Sequence, residues 1–162
     1  MGAIRLISTS LGTLRAEASA RGVCRLGWVG RGARESSPVG GHDRAARILA
    51  NLANELEAYA RGEPVRFAVP LDLSSGTAFQ QQVWRALARV PWGRAVSYGG
   101  LAHTIRAPRA ARAVGAACGA NPVAIVVPCH RVLAAVGRLG GFSSGLARKR
   151  RLLRLEGIAY RE

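Results

Sequence analysis

The sequence predicts an α/β (α+β) protein: a small N-terminal sheet-plus-helix domain over residues 1–69, then a mostly helical C-terminal domain over 70–162 with a helix-turn-helix. Three observations predict it. Short alternating apolar stretches with glycine at the corners open the chain. A single long amphipathic period follows them. Beyond a Pro/Gly-punctuated stretch, GEPVRFAVPLDLSSG (62–76), the apolar residues recur at helical rather than strand spacing.

The first strands are read from Ile4, Leu6 and Ile7, a turn at Gly12, Leu14, a second turn at Arg21-Gly22, and Val23 to Val29. GRGARESSPVGG (30–41) is a loop by composition, and Asp43 is placed to cap the helix after it. Ala45, Leu49, Leu52, Leu56 and Tyr59 form that helix's apolar face, and Gly62 suits its far end. In the second half, Thr77 and Gln80 have capping-box spacing, with Phe79, Val83 and Leu87 on one face. Pro91-Trp92-Gly93 breaks the chain, and Ser97 caps a short helix carrying Leu101, Ala102 and Ile105. Pro108 suits the start of the next helix, over 108–119, where Arg109 and Arg112 share a face. This pair has the outline of a helix-turn-helix. The second helix is so rich in Ala and Gly that it can lie close to a backbone or in a narrow groove. VAIVV (123–127) reads as a buried extended segment. A Gly-rich loop (137–145) then leads to a last helix with Leu146, Leu153 and an exposed ARKRR run, 147–151.

The chain has 162 residues, 49% of them apolar, which excludes wholesale disorder. No apolar run reaches the ~18 residues of a membrane-spanning helix, and the N-terminus lacks a signal peptide's apolar stretch. The expectation is a cytoplasmic protein with no membrane partner. Three cysteines, Cys24, Cys118 and Cys129, cannot all pair, which fits a reducing compartment. The net charge of +15 is uneven: residues 1–72 carry 10 basic and 7 acidic groups, residues 73–162 carry 14 and 2. A +12 half-molecule points to a polyanionic partner, nucleic acid before others. Lys149 is the only lysine among the 24 basic residues, a bias that a GC-rich genome also produces.

Cys129 leaves an apolar segment between Pro128 and His130. A nucleophilic cysteine must become a thiolate, and a nearby His or cation promotes that. Neighbours on an extended chain point to opposite sides, so Cys129 and His130 can cooperate only if the backbone turns there. Asn121 and Glu156 are the candidate supporting partners, Glu156 being one of two acids in the basic half. The same dipeptide also suits a buried thiol beside a surface His. No CxxC or HxxxH partner exists, and Cys24 and His42 are too few for a site, so no metal is expected.

NPVAIVVPCHRV (121–132) resembles the active-site signature of the O6-alkylguanine-DNA alkyltransferases. RAVGAACGANP (112–122) is similar to that family's recognition helix and hinge. FQQQVWRAL (79–87), the P-x-G-x-x-x-SYG run (91–99), LEG (155–157) and PLDL (70–73) follow the same order as in the family. Several ordered motifs make a far more specific signal than one short match. The resemblance implies transfer of an alkyl group from O6-alkylguanine to Cys129, once per molecule and without cofactor. His130 would act through a water, Glu156 would orient it, and Asn121 would hold the turn. Tyr98 would donate to the flipped base, and Arg112 would fill its place in the stack. Ser97, Arg109, Ala113, Gly115 and Arg131 would meet DNA in the minor groove, independently of sequence. Val132, Phe142, Ser143 and Ser144 would line the alkylguanine pocket. A monomer in the bacterial or archaeal cytoplasm, associated with the nucleoid, is expected. The chain departs from the family's pattern at Gly100, where an acid is common, at Phe142, where Tyr is, and at Ser144, where Gly is. The last two bear on tolerance for bulky alkyl groups.

Three other functions compete. An alkyltransferase-like binding protein would recognise lesions without reacting, but such proteins replace the cysteine. A Cys-His hydrolase would turn over and has no use for a +12 domain. A helix-turn-helix transcription factor would need side chains to read bases, which an Ala/Gly helix lacks.

Overall fold

The computed structural model describes residues 2–33 and 43–162. Most of the loop expected over 30–41, His42, and the capping role expected of the Asp43 side chain lie outside the described residues. The chain divides into two compact units, Met1–Ser75 and Gly76–Glu162.

In the first unit, strands β1 (Ala3–Thr9), β2 (Gly12–Ala18) and β3 (Val23–Trp28) form an antiparallel sheet in sequence order. Register runs from Ala3 opposite Ala18 to Thr9 opposite Gly12. The strand period of two sends Leu14, Ala16 and Ala18 inward. Helix α1 (Asp43–Ala60) lies against β1 and β2 with Ala45, Ile48, Leu49, Leu52, Leu56 and Tyr59 buried, the face its sequence period defines.

Residues 70–74, read from the sequence as the start of the second domain, are fastened to β3. The Val23 amide donates to Pro70 O (2.8 Å) and the Asp72 amide to Val23 O (2.9 Å). Gly22 makes that approach possible, because a Cβ there would stand 2.5 Å from Pro70 O. Ser19 and Ser74 each donate a hydroxyl to Asp72 at 2.6 Å.

The second unit opens on α2 (Ala78–Ala88), whose capping box is fully formed: Gln80 N donates to Thr77 Oγ1, and Thr77 N to Gln80 Oε1. Such a cap contributes about 1 kcal/mol. Val83, Trp84 and Leu87 are buried, and the Trp84 indole donates to Ala117 O at 2.8 Å. Helices α3 (Tyr98–Thr104) and α4 (Ala111–Gly119) pack on α2 and on each other as a helix-turn-helix. Ser97 caps α3, accepting from Gly100 N at 2.9 Å. Helix α4 starts three residues later than Pro108 suggests. Ala110 N donates to Ala107 O, so Pro108 occupies the second position of a turn, which its fixed φ also suits. Two strands of two residues, β4 (Val96–Ser97) and β5 (Val132–Leu133), pair in parallel, and α5 (Leu146–Leu155) follows.

Residues 123–127 are buried as expected but are not extended. Val127 N donates to Val123 O (3.0 Å), and Ile125 sits at φ 70. The reversal is held by one side chain: Asn121 Oδ1 accepts from Val123 N (2.9 Å), and Asn121 Nδ2 donates to Val127 O (2.7 Å). An apolar run reports burial, and here a local polar clamp decides the conformation.

Candidate active site

The 123–127 reversal delivers the chain into a single 3₁₀ turn, Cys129–Arg131. That is the bend needed for Cys129 and His130 to belong to one site. Cys129 opens onto a cavity of about 200 Å³ lined by Tyr98, Gly115, Cys118, Gly119, Cys129, Gly141, Phe142 and Ser143. Asn121 Nδ2 donates to Cys129 Sγ at 3.1 Å. Burial pushes the Cys129 thiol above its ordinary range, while the Asn121 amide and the Lys149 ammonium pull it back. The resting group is a thiol with a donor already aimed at the sulfur.

Behind the thiol, His130 is completely buried and its Nε2 lies 3.3 Å from Glu156 Oε1. Burial lowers the His130 pKa, so the imidazole is neutral at physiological pH. Burial would raise Glu156, but hydrogen bonds from His130 and Arg131 hold it down at about 2. Glu156 is therefore a carboxylate. Burial also raises Tyr98, whose ring lies against Gly115, so it is a neutral phenol able to donate a proton.

Several expected site residues are elsewhere. Arg131, expected on DNA, is 5% exposed: its guanidinium grips the Glu156 carboxylate and donates to Val90 O at 2.6 Å. An acid buried beside a neutral histidine needs a cation, and Arg131 supplies it. Val132 is buried outside the cavity lining, its carbonyl accepting from Lys149 Nζ at 2.7 Å. Ser144 is not in the lining either, and its carbonyl accepts from Arg148. Phe142 and Ser143 are in the lining, as expected. Arg109, Arg112 and Ala113 are exposed along the N-terminal half of α4 and the turn before it, with Gly115 on the cavity wall.

Two residues placed at or beside the cavity escape the sequence reading. Lys149, read as part of an exposed run, is 0% exposed. Its ammonium joins Val132 O to Gly141 O (2.9 Å), and burial lowers its pKa to about 8. Cys118 shares the cavity with Cys129, and burial pushes its thiol up to about 12. Among the described residues no three His, Cys, Asp or Glu side chains gather where a metal could sit. None of the described helices is long and apolar enough to cross a membrane.

Comparison with known proteins decides the family. Residues 78–158 match the DNA binding domain of 6-O-methylguanine DNA methyltransferase, and residues 4–73 match the ribonuclease-like domain of the same protein. The chain belongs to the 6-O-methylguanine DNA methyltransferase family. It is 56% identical over 108 residues to the methylated-DNA--protein-cysteine methyltransferase of Mycobacterium bovis; the aligned stretch is 67% of this chain and 65% of that protein. The regulatory protein ada of Salmonella typhimurium is 45% identical over 74% of this chain and 33% of its own length. Among solved structures, Mycobacterium tuberculosis OGT in complex with DNA superposes with a TM-score of 0.80 at 42% identity, over 94% of this chain and 91% of that one. The O6-methylguanine-DNA methyltransferase of Pyrococcus kodakaraensis gives 0.61 at 26% identity, over 98% and 100%.

Proposed function

We propose that this protein repairs DNA by moving the alkyl group of O6-alkylguanine onto Cys129 in one irreversible displacement. The observation that carries this reading is the Cys129 sulfur at the wall of a small cavity, with a donor at 3.1 Å and a buried His-Glu pair behind it. The second unit, 76–162, carries the chemistry, since Cys129, His130 and Glu156 all belong to it.

Glu156 at Nε2 of His130 fixes the proton on that nitrogen and leaves Nδ1 as the basic one. His130 takes the thiol proton through a water, and Asn121 stabilises the sulfur as its charge grows. The sulfur attacks the alkyl carbon, forming S–C as the C–O6 bond breaks. The electron pair goes to the guanine ring, and the Tyr98 hydroxyl protonates it. A thioether is not hydrolysed, so each molecule reacts once. The thiol is catalyst and acceptor together, and the reaction requires no cofactor or metal.

The cavity accepts a base only after it leaves the stack. The Ala/Gly face of α4 suits a minor groove, where Ser97, Tyr98, Arg109, Ala113 and Gly115 meet the backbone and Arg112 fills the vacated stack. Phosphate contacts from the basic unit make binding independent of sequence and sensitive to salt. A reduced thiol acceptor suits a monomer working in the cytoplasm.

The test is intact mass after incubation with duplex DNA carrying O6-methylguanine. Cys129 should gain one methyl group, with a plateau near one per chain under excess substrate. Cys129→Ser should bind the same DNA and gain nothing. Labelling of Cys118 or Cys24 in the parent, or repeated turnover, would refute the assignment.

A further inference from the structure

Val136 is 72% exposed, the most exposed large apolar side chain among the described residues. Its backbone is at φ 55, ψ 30, a region that β-branched residues avoid. Gly137 follows at φ 75, and Arg138 N donates to Ala135 O at 3.3 Å, which is the geometry of a type I′ turn. The first central position of such a turn suits Asn, Asp or Gly. Valine there is unfavourable twice over, by strain and by apolar exposure.

Strain of this kind persists only where the surroundings impose it. They do here. Ala134 N donates to Arg138 O (2.8 Å), Arg161 N to Gly137 O (2.8 Å) and Leu139 N to Arg161 O (2.8 Å), so both stems of the turn are tied down. The tip is a rigid apolar knob.

Its position is set by the parallel pairing of β4 and β5. Val96 is opposite Val132 and Ser97 opposite Leu133, so the chain leaves both strands at the same end. From β4 it leaves into Tyr98, one wall of the cavity; from β5 it leaves into the Val136 turn and returns through Gly141–Ser143, another wall. The exposed Arg138 stands two residues from the knob. A rigid apolar tip beside a cation, on the edge that carries the cavity, fits the minor groove of a duplex, whose walls are apolar deoxyribose edges between phosphates. Proteins that deform DNA from that groove use apolar side chains in this way.

We infer that Val136 is a second DNA-contacting wedge, seated against the sugar edges beside the extruded nucleotide and retained at the expense of the turn's stability. This rests on the alkyl-transfer reading above, and it adds a contact outside the helix-turn-helix.

The experiment compares Val136→Asn and Val136→Ile with the parent. Three quantities are measured: melting temperature, affinity for duplex DNA containing O6-methylguanine, and rate of transfer to Cys129 from duplex and from the free base. Asparagine relieves the strain and removes the apolar tip. It should melt about 2–6 °C higher yet bind duplex about three- to tenfold more weakly, with its free-base rate unchanged. Isoleucine keeps both strain and apolar surface and should match the parent in melting and binding. A higher melting temperature with unaltered duplex affinity overturns the inference, because the valine is then only a poor turn residue. So does an equal loss on duplex and free base, which would mean that the turn shapes the cavity. If the parent itself gains no methyl from duplex, the alkyl-transfer reading fails, and the role of Val136 is still judged on the affinities.

Discussion

Each unit buries a carboxylate held near pKa 2, and the two have different uses. In the first unit, hydroxyls of Ser19 and Ser74 keep Asp72 low, and Arg21 approaches to 3.5 Å. That set ties the 70–74 segment to the β2–β3 corner; Ser19 and Arg21 also line an open cavity with Cys24, but among the described residues of this unit no imidazole links Asp72 to that thiol. In the second unit, Glu156 is kept low by His130 and Arg131, and beyond His130 lie a thiol and a cavity. A depressed carboxylate therefore says little by itself. It signals chemistry when its partner is titratable and that partner stands behind a nucleophile with open space in front.

Glu156→Gln should separate the two cases most sharply. It strips the countercharge from buried Arg131, which costs about 3–5 kcal/mol when one partner of a buried pair is lost. It also replaces the charged acceptor at His130 Nε2 with a neutral amide oxygen, which weakens the hold on the imidazole's proton and orientation. Unfolding in urea should show the loss, and protein that is still folded should transfer methyl at least about tenfold more slowly from free base. Asp72→Asn should also destabilise but leave the transfer rate of the folded protein unchanged. The pH dependence has one sign for both acids. A carboxylate lowered on folding contributes stability above its ordinary value, 4.5 for Glu156 and 3.8 for Asp72, and that contribution is lost as pH falls toward 2. Each variant should therefore have a flatter acid limb than the parent. A normal free-base rate in Glu156→Gln would make the His-Glu pair merely structural.

Lys149 sharpens the comparison from within the second unit. Lys149→Met leaves the Val132 and Gly141 carbonyls without their donor, at about 1–3 kcal/mol, and removes a cation that favours the Cys129 thiolate. Transfer should slow about tenfold on duplex and free base alike. Burial has lowered the ammonium to about 8, so the parent's help to the thiolate is present below that pH and lost above it. The parent's rate against pH should bend near 8, and the variant's should not. An unchanged profile would reduce Lys149 to a loop tie.

That lysine also shows where the sequence was legible. In a chain whose other 23 basic residues are arginine, the position that keeps lysine needs a compact ammonium that can bridge two carbonyls from within the protein, which a planar guanidinium does less well. A GC-rich genome produces the same bias, so composition alone does not single this position out. The strands, α1 and the Thr77 and Ser97 caps were legible because local periodicity and capping chemistry determine them, whereas the turn at Cys129–Arg131, which has no side-chain cap, was legible only as what a joint Cys-His site requires. The 123–127 reversal was not, since five apolar residues report burial alone and the clamp sits in the Asn121 side chain. Arg131 shows the converse. A charge next to a reactive motif looks like a contact for DNA until the buried acid that needs it, 25 residues later, is brought alongside.

Glu55 gives the smallest effect and returns the comparison to the first unit. On α1 its Oε1 accepts from Ala68 N at 3.0 Å, while its Oε2 is buried without a hydrogen bond of normal geometry. Burial raises its pKa above the ordinary 4.5, against the pull of the Ala68 and Val69 amides. For an acid raised on folding, the stabilising form is the protonated one. Its contribution is present below 4.5 and lost as pH rises through the folded value, so at neutral pH the ionised group is a cost. Glu55→Gln keeps the acceptor for Ala68 and removes the charge. Because the side chain is partly exposed and solvent screens it, the gain should be only about 0.5 kcal/mol at pH 7. At pH 4, where both side chains are mostly neutral, the difference should shrink toward zero, while Asp72 and every other group cancel between the two proteins. Urea unfolding of parent and variant at the two pH values measures it. Equal stability differences at pH 4 and pH 7 would mean that the buried oxygen, rather than its charge, sets the effect. Transfer to Cys129 should be unaltered throughout, since Glu55 belongs to the first unit and Cys129 to the second.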